Sequence, residues 1–235
     1  QDFEDRLIEA KGIKDKDDND FDNTPIESFG NDPKTGKKWE LLPFQRKSVV
    51  HGLTLRNSAN FSVPGAGKTW MAFATYFLAR DGHDEPAVDR LLVICPKAAF
   101  EVWENEYETI TGNKYNEHVT RIASGVTPVD IIPKIARDRE IILINYDLVR
   151  EERYEFALVQ MLRNHNFYVI LDESHKIKNK NSNQGAVAGR LAELARRRMI
   201  LTGTPMPNYH VGLWNQFNFL FPGRNILGSY DEFRQ

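Results

Sequence analysis

The stretch FSVPGAGKTW, residues 61–70, decides the fold of this chain. An apolar run leads into it, a turn with two glycines occupies its centre, and the segment MAFATYFLAR that follows is typical of a helix. Gly65 and Gly67 allow the backbone to curl so that its N–H groups point inward at an anion. The positive N-terminal end of the following helix adds to the same attraction. The stretch therefore predicts a phosphate-binding loop between a strand and a helix.

The side chains of this loop have separate expected roles. Lys68 can reach the β- and γ-phosphates of a nucleotide, and Thr69 can offer its hydroxyl to Mg²⁺. The usual template, G-x-x-x-x-G-K-[ST], opens with glycine, whereas this chain has Ser62. A glycine-rich structural turn is the alternative, and the strand–turn–helix order disfavours it. The residues that we expect around the phosphates are Pro64, Gly65, Ala66, Gly67, Lys68, Thr69 and Trp70.

A second chemical site follows another apolar strand, in FYVILDESHKIKN, residues 167–179. Asp172 and Glu173 come directly after its apolar run. An acidic pair at a strand end is often a solvated turn or a helix cap. Beside a phosphate loop, however, the two carboxylates can have separate catalytic roles. Asp172 would hold Mg²⁺, and Glu173 would orient and help deprotonate the water that attacks the γ-phosphate.

A third segment, MILTGTPMPN at residues 199–208, also ends an apolar strand. A strand-terminating turn is one interpretation, because glycine and proline both interrupt regular structure. The functional interpretation is a loop near the γ-phosphate that senses hydrolysis through Thr202 and Thr204. His175 could hydrogen-bond to this loop. The residues of this segment alone do not decide between the two.

Apolar runs of four to six residues alternate with helical segments from Leu41 onward. Several runs are continuously apolar, as strands covered on both faces tend to be. This order predicts an α/β fold with a mostly parallel sheet and helices on both faces. Ligands of such sheets gather at the carboxyl ends of the strands, where the motifs fall. The predicted strands are Ala59–Val63, Arg90–Cys95, Val119–Ala123, Glu140–Ile144, Phe167–Leu171 and Arg198–Leu201. The predicted helices are Phe44–Arg56, Trp70–Arg80, Ala98–Thr109, Val129–Arg137, Tyr154–Asn164, Asn183–Arg196 and His210–Phe219.

The chain divides by charge. Residues 1–40 hold 12 acidic and 7 basic residues, whereas the remainder holds 21 acidic and 24 basic residues. The first part is polar and poor in branched aliphatics, so we expect a mobile acidic arm over 1–40 and one folded lobe over 41–235. A mildly basic lobe is compatible with nucleic acid but does not demonstrate it.

Composition excludes several classes of protein. Of the 235 residues, 41% are hydrophobic and 27% are charged, as in an ordinary globular protein. No apolar run approaches the roughly 20 residues that span a bilayer, so we expect no membrane-embedded segment. The single cysteine, Cys95, excludes an internal disulfide and a cysteine-rich zinc site, and we expect it to be a buried, inert thiol. We expect a cytoplasmic location, nucleoid-associated in a bacterium, or a nuclear one.

The ordered set of phosphate loop, DESH and LTGTP resembles the first RecA-like lobe of superfamily-two helicase-type ATPases, which are P-loop NTPases. Within that superfamily it is most similar to the Swi/Snf-type translocases, which pull duplex DNA. The resemblance extends from Leu41 to Gly223. It is carried further by LLPFQ at 41–45, LLVICPKAAFEVWENEY at 91–107, ILINYDLV at 142–149 and GLWNQFNFLFPG at 212–223.

The resemblance implies a role for each matched residue. Lys68 and Thr69 would bind phosphate and magnesium, and Asp172 and Glu173 would act on magnesium and water. Gln45 would contact the adenine of ATP. The residues that would link the nucleotide site to the DNA side are His175, Thr202 and Thr204. Those that would lie along the DNA are Pro96, Lys97, Asn145, Tyr146, Lys176 and Lys178. Lys97 on its own is more often a solvated charge, and Tyr146 and Trp103 could equally be packing residues.

The resemblance also implies partners, namely double-stranded DNA and a second RecA-like lobe of the same parent chain. That second lobe normally supplies arginines worth roughly 10³–10⁵ in rate in related phosphoryl-transfer systems. Because the sequence starts at Gln1 and stops at Gln235, we expect one lobe of a longer protein, poorly active alone. Ser174 in DESH replaces the small residue of the commoner DEAH or DEGH, and we expect it to fit.

Two other functions remain open at this point. A strand-separating helicase or RNA-acting ATPase of the same superfamily would have a similar first lobe. An ATP-gated module that binds a protein partner without turnover would not need Glu173. A small-molecule kinase would have no evident use for DESH and LTGTP.

Overall fold

A computed structural model describes residues 26–82, 87–125, 127–128, 139–177, 182–206, 210–223 and 226–234. Its centre is a sheet of six parallel strands in the order β1-β6-β5-β2-β4-β3. β2, β4 and β5 are buried along nearly their whole length, as their continuous apolar sequences predict. The strands are β1 (Asn57–Asn60), β2 (Arg90–Cys95), β3 (Val119–Ile122), β4 (Ile141–Asn145), β5 (Phe167–Asp172) and β6 (Arg197–Leu201).

Helices cover both faces of this sheet, and each face has its own apolar core. One core contains side chains of α1, α2 and α3, whereas the other contains side chains of α5, α6, α7 and α8. The longer helices are α1 (Pro43–Thr54), α2 (Lys68–Arg80), α3 (Phe100–Thr111), α6 (Glu152–Asn164), α7 (Asn183–Leu194) and α8 (Val211–Leu220). The short ones are α4 (Tyr115–His118), α5 (Tyr146–Val149) and α9 (Tyr230–Arg234). The predicted α/β architecture is confirmed.

Element ends differ from the predictions by a few residues. β1 ends at Asn60, so Phe61 and Val63 belong to the phosphate loop. The short helices α4, α5 and α9 were not predicted, because a single turn leaves no clear periodicity in the sequence. The helix predicted at Val129–Arg137 lies outside the described residues.

The segment from Ile26 to Glu40 differs from the expectation of a loosely packed arm. Phe29 is 4% exposed and packs against the ring of Phe77 in α2. Gly30 donates its N–H to the carbonyl of Ile110, so the segment is also hydrogen-bonded to the end of α3. The low average hydrophobicity of the segment concealed two aromatic side chains, Phe29 and Trp39, which pack against α2. Aromatic rings bury a large area each and contribute strongly to stability. Residues 1–25 lie outside the described part of the chain.

Among the described residues, no helix is long and apolar enough to cross a membrane. Cys95 is buried at the end of β2, as expected, and burial raises the pKa of its thiol. It therefore stays a neutral packing group.

Candidate nucleotide site

Three loops meet at the carboxyl edge of the sheet. They follow β1, β6 and β5, which are consecutive neighbours, so the threonine loop after β6 lies between the other two. Thr202 donates its N–H to the carbonyl of Asn60 at 3.2 Å. A Cβ placed on Gly203 would lie 2.9 Å from Cδ of Pro64, so the threonine loop packs directly against the phosphate loop.

The phosphate loop has the backbone that its glycines predict. Gly65 and Gly67 have φ angles of 81° and 78°, in the left-handed region that glycine adopts without strain. α2 begins at Lys68, and the first N–H groups of a helix have no partner within it. The ammonium of Lys68 donates to the carbonyls of Ser62 and Val63 at 3.0 and 3.3 Å. The side chain of Lys68 therefore lies across the phosphate loop, where it is expected to bind the phosphates.

Gln45 lies against the phosphate loop. Its Nε2 donates to the carbonyl of Ala66 at 3.0 Å, and its Oε1 accepts from the N–H of Leu42 at 2.9 Å. A Cβ on Gly67 would lie 2.5 Å from Nε2 of Gln45. The structure therefore brings the sequence-predicted glutamine to the phosphate loop, and a side chain at position 67 would displace the Gln45 amide from this place.

The acidic pair has a fixed geometry. Oδ2 of Asp172 accepts from the indole N–H of Trp103, and Oδ1 accepts from the N–H of Glu173, both at 2.9 Å. Burial raises the pKa of Asp172, while the bond from Trp103 and the positive charge of Lys68 act to lower it. Lys68 and Asp172 lie on loops at the same edge of the sheet, on either side of the threonine loop. Among the described residues, Glu173 is the only non-glycine with a positive φ, 51°.

That backbone conformation costs about 1–2 kcal/mol for a residue with a Cβ. Strain of this kind concentrates at functional sites, where the surrounding structure maintains it. Here it directs the half-exposed carboxylate of Glu173 toward two residues of the expected coupling group. Nδ1 of His175 lies 3.2 Å from Oε2 of Glu173 and 3.2 Å from Oγ1 of Thr202, and Oγ1 of Thr202 lies 3.4 Å from the same carboxylate. Oγ1 of Thr204 lies 3.5 Å from Nδ1.

Protein groups alone do not form a closed metal cage in the described part of the chain, since no three His, Cys, Asp or Glu side chains are grouped for a metal. Mg²⁺ commonly binds through one or two protein oxygens, with water and substrate phosphates completing its coordination. The oxygens of Thr69 and Asp172, on loops at the same sheet edge, fit that mode.

Comparison with known proteins agrees with this geometry. Residues 61–235 match the SNF2-related domain. The chain belongs to this family. The TATA-binding protein-associated factor MOT1 of Saccharomyces cerevisiae is 31% identical over 209 residues, which cover 85% of this chain and 10% of that protein. A probable ATP-dependent DNA helicase of Arabidopsis thaliana, CHR12, is 30% identical over 181 residues, which cover 73% of this chain and 15% of that protein.

A solved structure gives the same lobe. The SWI2/SNF2 ATPase core of Sulfolobus solfataricus, in complex with double-stranded DNA, superposes with a TM-score of 0.66 at 25% identity. The alignment covers 88% of this chain and 40% of that one. The fold of the described residues is therefore that of a first RecA-like lobe. The chain spans about a tenth to a seventh of the two sequence relatives named above.

The residues expected on the DNA side of this SNF2-related lobe divide into two groups. Lys97 and Lys176 are exposed, and Pro96 is half-buried beside Lys97. Asn145 instead caps α5, because its side chain accepts from the N–H groups of Asp147 and Leu148. Lys178 lies outside the described residues.

Tyr146 is buried, which agrees with the packing alternative that the sequence left open. It is 5% exposed, and its hydroxyl donates to the carbonyl of Asp172 at 2.8 Å. The side chain of Trp70 also points away from the phosphate loop. Its ring packs against Trp39, and its indole N–H donates to Glu106. Trp70 would therefore bind a phosphate through its backbone N–H and not through its side chain.

Trp103 lies in the segment 91–107 that carries part of the family resemblance, and its side chain has two roles in the structure. Its spacing to the acidic pair carries no local signal, and a buried tryptophan is usually a packing residue. In the structure its ring is 1% exposed and packs on Phe73, while its N–H reaches Asp172. The available signal was the family resemblance of the segment 91–107, which contains this tryptophan.

Proposed function

We propose that this SNF2-related lobe binds Mg²⁺–ATP and serves an ATP-dependent double-stranded DNA translocase in the longer protein to which it belongs. The observation that carries the proposal is the meeting of the phosphate loop, the acidic pair and the threonine loop at one sheet edge. A structure similar to this chain was solved with double-stranded DNA, which supports the same partner here. Such a protein would work in the nucleus or at a nucleoid.

The triphosphate would lie on the backbone N–H groups of residues 64–70 and at the N-terminus of α2. Lys68 would exchange the carbonyls of Ser62 and Val63 for phosphate oxygens. Thr69 and Asp172 would hold Mg²⁺, which, when bound, neutralises charge on the phosphates. Gln45 would contact the adenine from its position beside the loop.

Glu173 would hold the attacking water and accept its proton. The strained backbone directs its carboxylate into the cleft, where His175 and Thr202 restrict its orientation. A general base within hydrogen-bond reach of its proton contributes typically 10²–10⁴ in rate. Loss of the γ-phosphate would be transmitted from Thr202 and Thr204 to the DNA side.

The DNA would contact exposed cations of the same lobe, with Lys97 and Lys176 on its phosphates. Such contacts are independent of base sequence, and each weakens as salt rises. A second lobe of the parent would close the cleft and add cationic groups at the γ-phosphate.

The test is ATP hydrolysis by the intact parent protein with and without duplex DNA. We expect strong stimulation by duplex, and its loss in Lys68→Ala and Glu173→Gln, with Lys34→Ala as a matched control on an exposed lysine. Turnover that ignores nucleic acid would contradict the proposal. Strand separation in a fluorescent unwinding assay would instead favour a helicase, and tight ATP binding without turnover would favour a protein-binding module.

A further inference from the structure

A buried hydrogen bond links the acidic loop to α8, outside the nucleotide site. The hydroxyl of Ser174 donates to Oε1 of Gln216 at 2.7 Å. Both residues are 0% exposed. Ser174 directly follows the acidic pair, so this bond lies one residue from the strained backbone of Glu173.

The other end of the Gln216 side chain reaches the threonine loop. Its Nε2 donates to the carbonyl of Pro205 at 2.8 Å and to the carbonyl of Gly212, one helical turn back, at 3.1 Å. The amide thus uses its oxygen on one loop and its nitrogen on the other. The side-chain amide of the neighbouring Asn215 also donates to the loop after β5, at the carbonyl of Ile177.

This arrangement is specific, because a buried amide without partners would be costly. An unsatisfied buried polar group destabilises by about 1–3 kcal/mol, whereas an apolar side chain of similar size would fill the same space. A leucine at position 216 would pack, but it would leave the two loops unlinked. The amide therefore fixes a distance between loops that packing alone does not define.

We propose that Gln216 is a positioning residue that joins the loop after β5 to the loop after β6, so that both respond together to the state of the γ-phosphate. The inference rests on the proposed function, because it concerns the same site. On the cleft side, the same two loops touch through Thr202 and Glu173 at 3.4 Å. Gln216 supports that contact from the core side, and Ser174 is its partner.

The experiment compares Gln216→Leu, Ser174→Ala and the double variant in the intact parent protein. Asn218→Leu is the matched control, because it makes the same kind of change on α8. Asn218 has no hydrogen bond to either loop among the residues that the structure describes. We expect Gln216→Leu to lower duplex-stimulated kcat about tenfold, with KM for ATP changed less than about twofold, as loss of a positioning contact predicts.

The two single changes should be non-additive, because they share one hydrogen bond. The double variant should be no slower than Gln216→Leu. Equal kcat in Gln216→Leu and the unmodified protein would overturn the inference. Parallel losses in Gln216→Leu and Asn218→Leu would do the same, because they would indicate a general packing effect.

Amide hydrogen exchange provides a second measurement that does not need turnover. We expect Gln216→Leu to speed exchange in both loops, residues 173–177 and 202–206, and Asn218→Leu to speed it in neither. If the unmodified parent shows no duplex-stimulated hydrolysis, the proposed function fails, whereas the exchange data still decide whether Gln216 links the loops. Unchanged exchange in both loops would refute the link itself.

Discussion

The indole N–H of Trp103 donates a 2.9 Å hydrogen bond to the carboxylate of Asp172, across 69 positions of sequence. One buried tryptophan therefore both fills the core and fixes the residue expected to hold Mg²⁺. The hydroxyl of Tyr146 supports the same residue by donating to the backbone carbonyl of Asp172. The acidic pair is thus held by groups from α3 and from the start of α5.

Trp103→Phe keeps the aromatic packing and removes this donor. A hydrogen bond to a carboxylate favours its charged form, so its loss should raise the pKa of Asp172 further. We expect the acidic limb of the kcat/KM profile to move to higher pH, with a loss of about 10–100-fold at neutral pH from one charge-assisted hydrogen bond. An acidic limb unchanged from that of the unmodified protein would contradict the positioning role.

Burial of Asp172 also affects stability. Because its folded pKa is raised, the folded chain binds more protons than the unfolded chain between the ordinary value, about 3.9, and the raised one. The stability contribution of this group is therefore present below that window and lost as pH rises through it. We expect the free energy of unfolding of the unmodified chain, relative to Asp172→Asn, to fall over that range in denaturant titrations without nucleotide. A difference that is constant with pH would argue against burial of the charge.

Gly67→Ala should weaken nucleotide binding, because the added Cβ would displace the Gln45 amide from the phosphate loop. The position has φ +78°, and an added Cβ would meet Gln45 at 2.5 Å. Gly112→Ala is the matched control, because its φ is +75° and no atom lies within 4 Å of its added Cβ. Both changes carry a similar backbone strain of about 1–2 kcal/mol. We expect calorimetry to show Mg²⁺–ATP affinity lowered in the first and retained in the second.

Phe29→Ala tests whether the segment before α1 belongs to the lobe. The ring packs edge-on against Trp70 and Phe77, and burying it should contribute about 3–5 kcal/mol to stability. Phe156→Ala, at a ring that is 62% exposed, should cost much less. Denaturant unfolding measures both. Small and equal losses of stability in the two variants would indicate that the segment is a loosely packed arm.

The sequence by itself determined the order of elements and the chemistry at the strand ends. Glycines of the phosphate loop, the acidic pair after β5 and the threonines after β6 are local signals, since each depends on residues close in the chain. Continuous apolar strands likewise identify a covered parallel sheet without knowledge of strand order. The family resemblance followed from that linear order.

Only the tertiary structure decided which groups meet. Strand order placed the threonine loop between the other two, and no local pattern encodes the neighbours of a parallel strand. The direction of a side chain decided that Trp103 reaches Asp172, that Tyr146 is buried and that Trp70 faces Trp39. The amide of Gln216 joins Ser174, 42 positions before it, to Pro205, 11 positions before it, only because α8 packs beneath both loops. These contacts depend on long-range packing, which a linear pattern of hydrophobicity does not contain.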